Sequence, residues 1–191
     1  MARPRTFNPD DVLLVARDVF WKKGYQNTSL DDVTAATRLT KPSLYAAFGD
    51  KASLFRKVLD RYHAEVLAQC AKVMEAEPSA RSAIAAWLRN LPPIALYLEE
   101  GRGCLSVNSS AEGNPDDPLV RESIALFDDN LETLIRTRLE RDRAQFSASF
   151  DPVTAAHTIS ALYLGLMVMA KRKTSPEILE SVINQVSNLL A

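Results

Sequence analysis

Apolar residues recur at intervals of three and four along nearly the whole chain, and no run of four or more alternates with a period of two. The pattern predicts helices and no sheet. Asn8-Pro9 reads as a cap followed by proline at the first helical position. The stripe Val12, Val15, Ala16, Val19, Phe20 then runs to Gly24, which ends the first helix. Thr28-Ser29 ahead of Asp31 and Asp32 opens a short second helix to about Thr37. Arg38-Leu39-Thr40 forms a turn, Pro42 stands in a permitted first-turn position, and Ser43 to Phe48 make a very short third helix stopped at Gly49. Asp50 caps a long fourth helix with the stripe Leu54, Phe55, Val58, Leu59, Tyr62, Val66, extending to about Ala76 before Pro78.

Further helices are expected from Ser79 to Glu100, kinked or split at Pro92-Pro93, and from Gly103 to Glu112. Three more follow: Pro118 to about Phe146, Asp151 to about Lys171, and Pro176 to Leu190. Gly113 to Pro118 is a surface loop. The expected fold is all-α, with a three-helix helix-turn-helix unit over residues 1–50 and a helical domain over 51–191. The apolar stretch Ile159 to Ala170, broken by Ser160 and Gly165, falls short of the roughly 20 residues a bilayer requires and is expected to be a buried core helix.

The paired second and third helices matter because two short helices joined by a three- or four-residue turn can place the second in a major groove. A helix of barely two turns is not stable alone. Leu44 and Phe48, four apart, must therefore hold it to the core, which leaves Thr40, Lys41, Ser43 and Tyr45 on the opposite face with hydroxyls and a cation for bases or phosphates. Lys51 and the start of the fourth helix suit a phosphate, and Arg38 in the turn suits another. Charge agrees: residues 1–62 hold 11 Lys and Arg against 7 Asp and Glu, while the whole chain is at −1. Arg3 and Arg5 are either a minor-groove arm or a disordered tail.

At these residues the sequence resembles the tetracycline-repressor (TetR) family. Phe20, Lys23-Gly24-Tyr25, Thr28-Ser29, Ser43-Leu44-Tyr45, Phe48 and Lys51-Ala52-Ser53-Leu54 match its N-terminal signature in order and spacing. The usual glycine-valine turn is replaced by Arg38-Leu39-Thr40. The resemblance implies that Tyr45 and Lys51 grip phosphates, that Thr40, Lys41 and Ser43 lie at the groove, and that Thr28 or Ser29 touches the backbone. It also implies a homodimeric transcriptional regulator that binds a palindromic operator DNA and is released by a small-molecule inducer. Arg102-Gly103-Cys104-Leu105 is similar to a glycine-cysteine-leucine motif in one branch of that family.

In the C-terminal part, the expected lining of a cavity for a small, largely apolar inducer is Leu91, Tyr97, Cys104, Asn108, Phe127 and Tyr163, with Asn108 as the polar contact. Cys104, beside Arg102 near a helix start, is either an inert packing residue or a reactive thiol, and the second case makes the protein a sensor of electrophiles or oxidants. Wide apolar stripes on the last two helices predict a dimeric four-helix interface through Leu166, Ile183, Val186 and Leu190.

Other classes are disfavoured by composition. At 47% hydrophobic and 25% charged residues the chain has the balance of a globular protein. Two cysteines and two histidines without paired spacing give neither a disulfide framework nor a metal site. The basic start leads into no apolar signal segment, so a cytoplasmic location without membrane association is expected. Neither a glycine-rich phosphate loop nor a nucleophile with a positioned histidine is present, so no cofactor, no catalytic residue and no enzymatic activity are expected.

Overall fold

A computed structural model describes residues 7–91, 102–112 and 117–190. Arg3, Arg5, Pro92-Pro93 and Tyr97 lie outside the described residues, as does most of the loop expected from Gly113 to Pro118. The described helices are α1 Pro9–Lys23, α2 Leu30–Thr37, α3 Lys41–Phe48, α4 Lys51–Ala76, α5 Ala80–Arg89, α6 Leu105–Ala111, α7 Pro118–Arg141, α8 Pro152–Lys171 and α9 Pro176–Leu189. No strand occurs among the described residues.

The helix starts follow from local side chains. Asn8, Ser29, Thr40, Asp50, Asp117 and Asp151 each accept a hydrogen bond from a backbone N–H of the first turn they precede. Each such cap is worth about 1 kcal/mol. In α2 the cap is reciprocal, because Asp32 also accepts from the Ser29 N–H. α3 begins at Lys41, two residues earlier than the sequence suggests, with Thr40 as its cap. α7 ends earlier than expected, at Arg141, and a single 3-10 turn follows over Arg143–Gln145. The Asp142 carboxylate has other duties there: it pairs with buried Arg138 at 3.1 Å and accepts the Ala80 N–H at 2.6 Å. Arg138 also donates to the Glu77 carbonyl, so this cluster fastens the α4–α5 corner to the end of α7.

Buried residues from Val12 to Leu190 form one continuous core. In its N-terminal part Val12, Ala16, Phe20, Val33, Leu44 and Phe48 hold α1 to α3 together. Phe20 and Tyr25 enclose Phe55 of α4, with ring centroids 4.7 and 4.8 Å away. α4 therefore belongs to both parts: it packs on α1 near its start and on α5 and α7 further along. α7 lies on α4 and α8, and α9 covers α5 and α8.

Candidate DNA-binding face and effector site

α2 and α3 expose the polar surface that the sequence predicts. Leu44 and Phe48 are buried, whereas Thr40, Lys41 and Tyr45 are exposed and Ser43 is half-buried. Tyr45 is 51% exposed although it is a large aromatic. Arg38 takes the left-handed conformation, φ 59° and ψ 21°, at the turn where a glycine would be unstrained. Its guanidinium is exposed and makes no ion pair among the described residues.

Several of these groups are already engaged within the protein. Lys41 Nζ lies 2.7 Å from Asp31 Oδ1, and this hydrogen bond and charge raise the lysine pKa. Lys23 bonds Asp32 and lowers that carboxyl to about 2. Lys51 stands over the Tyr25 ring, 4.4 Å from its centre, and reaches the Gln26 carbonyl; partial burial lowers its pKa. The Ser29 hydroxyl is exposed and serves the α2 cap. Thr28, expected near the DNA backbone, is 2% exposed and donates its hydroxyl to the Gly24 carbonyl at 2.6 Å, so that hydroxyl is turned inward and not presented on the outer face.

Of the expected effector residues, three share one buried aromatic cluster. Cys104 is fully buried, and its Sγ lies 3.4 Å from both the Tyr62 and the Tyr163 hydroxyls. It makes no side-chain cap to α6, so the thiol faces two phenols and not the helix amides. Burial raises the Tyr163 pKa well above its ordinary value, and the neighbouring thiol adds to the effect. Tyr163 stacks on Trp87 at 5.4 Å. Phe127 stacks on His63 at 4.3 Å, and His63 in turn abuts Tyr62 at 5.9 Å. Leu91 is buried at the end of the described part of that segment. The other cysteine, Cys70, is buried with its thiol pushed up to about 12.

Asn108 is placed elsewhere. Its side chain donates to the Arg102 carbonyl and lines a cleft of about 530 Å³ between α1 and the body, shared with Trp21, Lys22, Gly24, Glu112 and Lys171. This seam is a feature the sequence does not announce. Trp21 Nε1 donates to the Arg102 and Gly103 carbonyls at 3.1 and 2.8 Å, and Arg102 pairs with Asp18 at 3.7 Å. At the other end of the segment, Glu112 Oε2 accepts the Tyr25 N–H at 2.9 Å. A Cβ on Gly24 would stand 2.5 Å from that carboxylate, and Gly24 has φ +80°, so both space and conformation call for glycine. Residues 102–112 are thus a strap with Cys104 on its inner side and α1 on its outer side. The one advance sign was Trp21 itself, an indole whose N–H needs an acceptor, set beside the apolar stripe of α1.

Leu166, Ile183, Val186 and Leu190, expected at a dimer interface, are each 0–1% exposed within one chain. They are core residues, because α9 closes over α5 and α8 and uses its stripe for that purpose. Apolar residues left at the surface of the body include Leu126 on α7, Leu164 and Val168 on α8, and Ile178 and Leu189 on α9, between 42 and 58% exposed. Among the described residues, nothing lies within 4 Å of where a Cβ on Gly165 would stand beside them. α8 is consequently not the wholly buried helix expected from its composition. By length and hydropathy alone it could cross a membrane, with 33% of its apolar window buried. No group of three or more metal-ligating side chains occurs among the described residues.

A capped pair of short helices with a polar outer face, carried on a larger helical body, defines a helix-turn-helix DNA-binding protein. Comparison with known proteins gives the family. Residues 12–58 match the profile of bacterial regulatory proteins of the tetR family, and residues 80–186 match the tetracyclin repressor-like C-terminal domain. The chain belongs to the TetR family of transcriptional regulators. Among its relatives is the HTH-type transcriptional repressor ComR of Escherichia coli K12, 29% identical over 180 residues, which are 92% of this chain and 85% of ComR. A cysteine mutant of the TetR-family regulator CifR, solved with 26-base-pair operator DNA, is 34% identical with a TM-score of 0.87, covering 99% of this chain and all of that one. The reduced form of E. coli NemR shares the fold at 24% identity and a TM-score of 0.82, covering 95% and 96% of the two chains.

Proposed function

We propose that the protein is a repressor that binds a palindromic operator as a homodimer in the cytoplasm and leaves it when a small molecule acts in the body. In this reading residues 1–50 are the DNA head, and residues 51–191 form the effector and dimerisation part. The observation that carries it is the outward face of α3, with Thr40, Lys41, Ser43 and exposed Tyr45 held by buried Leu44 and Phe48. Support comes from CifR, whose fold is shared along the whole chain and which has been solved on operator DNA. Ser29, Arg38 and Lys51 flank this face as backbone contacts, Lys51 by exchanging the Gln26 carbonyl for a phosphate. Lys41 must likewise leave Asp31, which makes base contact a swap of partners and favours discrimination.

A second copy is proposed to cover Leu126, Leu164 and Val168, because a single recognition helix spans too few base pairs for specificity. The effector acts at the cluster of Cys104, Tyr62, Tyr163 and Phe127, and the strap carries its influence to α1 through Trp21 and Glu112. The test is DNA affinity at several salt concentrations. Tyr45→Ala is expected to weaken binding about tenfold on every sequence, whereas changes at Lys41 or Ser43 also alter base preference. Unchanged affinity and salt slope in Tyr45→Ala contradict the reading.

A second version rests on the Cys104 thiol, held between two phenols that can donate to a developing thiolate or to an electrophile's oxygen. Cys104→Ser separates the two. Under covalent sensing it abolishes the response; under reversible binding it leaves the response nearly intact.

A further inference from the structure

His63 lies in the cluster just described and has no part in holding DNA. It is 5% exposed, stacked on Phe127 and tilted against Tyr62. Its two nitrogens have different fates. Nδ1 is 3.3 Å from Ser123 Oγ, and Ser123 Oγ is 2.6 Å from Asp60 Oδ1. A hydroxyl has one proton, and a carboxylate can only accept it. Ser123 therefore gives its proton to Asp60 and accepts from His63, which fixes the imidazole proton on Nδ1. Nε2 is left as a bare lone pair. That atom is buried and has no hydrogen-bond partner among the described residues. Burial lowers the imidazolium pKa to about 4 against the opposing pull of Asp60, so the ring is neutral in ordinary conditions.

A buried acceptor without a donor is uncommon, and each case calls for a reason. The bond to Ser123 gives Nδ1 a structural use, but no contact within the described residues gives one to Nε2. The relay from Asp60 through Ser123 does the opposite of relieving the strain, since it holds the lone pair of Nε2 in place. We propose that His63 Nε2 is the polar anchor of the effector site, accepting a hydrogen bond from a neutral, mainly apolar molecule that carries a hydroxyl or N–H group. The apolar part of that molecule lies against the Phe127 and Tyr62 rings, beside Cys104. The proposal rests on reading the body as an effector domain, and it replaces Asn108, which faces the seam with α1, as the polar contact. A carboxylate does not suit Nε2, because it has no proton to offer to that lone pair.

Phenol and toluene, alike in shape and differing in one donor, test it on the full-length protein. A merely apolar site prefers toluene. The wild type is expected to bind phenol about tenfold more tightly than toluene, and His63→Phe to lose that preference. A cooperative thermal melt checks the fold of the variant. In ¹⁵N-histidine NMR of the wild type, the free Nε2 signal is that of an unprotonated nitrogen without a donor, and phenol shifts it while toluene does not. Equal or tighter toluene binding overturns the proposal, as does an unchanged preference in His63→Phe or no binding of either probe at millimolar concentration. A resident water on Nε2, seen as a hydrogen-bonded signal unmoved by phenol, overturns it equally. Failure to bind any DNA would instead remove the regulator reading on which the proposal rests.

Discussion

The proposed DNA face and the proposed effector cluster are built in opposite ways. The caps of α2, α3 and α4 are closed by side chains three residues apart: Ser29 with Asp32, Thr40 with Ser43, Asp50 with Ser53. The cluster joins Tyr62 to Cys104 and Cys104 to Tyr163 across 42 and 59 residues. The head exposes its polar groups and keeps its apolar ones for support, whereas the cluster buries a thiol, phenols and an imidazole together. A surface that must meet many phosphates can be assembled locally from capped turns. A site that must exclude water needs walls from α4, α6, α7 and α8. The strap at residues 102–112 touches both regions, so a change at Cys104 has a short path to Trp21 and α1.

This division is most open to challenge at the body's surface. Leu164→Arg combined with Val168→Glu should yield folded monomers with operator affinity reduced on the order of 100-fold, read by sedimentation and DNA titration. Ile183→Ala should do the reverse, costing about 2–5 kcal/mol in urea unfolding without changing the assembly, because its side chain is in the protomer core. If Ile183→Ala gives stable monomers, the assignment of the outer face to α7 and α8 fails.

Next in size is a pH effect confined to the cluster. A histidine held at about 4 when folded and near 6.5 when unfolded binds its proton mainly in the unfolded state between those values. Stability conferred by other contacts is therefore eroded as pH falls from about 6.5 to 4, by up to about 3 kcal/mol. In His63→Phe this loss should be absent from unfolding curves taken across that range; an identical pH profile would show that His63 is not buried neutral.

Coupling across the seam is a smaller quantity. Operator DNA should alter the rate at which N-ethylmaleimide alkylates Cys104, followed by peptide mass mapping, by about five-fold in the wild type. Trp21→Phe keeps an aromatic side chain and removes the indole N–H, and should cut that change to below about twofold. An undiminished DNA effect in Trp21→Phe would dissociate the strap from transmission. The smallest effect belongs to Arg38. Arg38→Gly should raise stability by no more than about 1 kcal/mol, by relieving the left-handed backbone, while weakening DNA binding through loss of one cation.

The same contrast explains what the sequence made legible. Helix caps and stripes lie within a few residues of one another, so the all-helical order and the outward face of α3 could be read directly. Boundaries slipped where a side chain was claimed by a distant partner, as when Asp142 turned to Ala80 and ended α7 early. Thr28 was expected at DNA from the family resemblance alone, and its hydroxyl is taken by the Gly24 carbonyl four residues back. An apolar stripe states that a face is covered but not by what, which is why Leu166, Ile183, Val186 and Leu190 looked like an interface and are a core. Trp21, Glu112 and the relay from Asp60 to His63 depend on which helices become neighbours, and no spacing in the chain encodes that.

Whether two copies of the α3 face read DNA together can be decided by selecting bound duplexes from a random-sequence library with the wild-type protein. Enrichment of an inverted repeat is expected, with half-sites separated by about one helical turn or a multiple of it. No enrichment, or a single half-site bound by one chain, would contradict joint reading by a dimer.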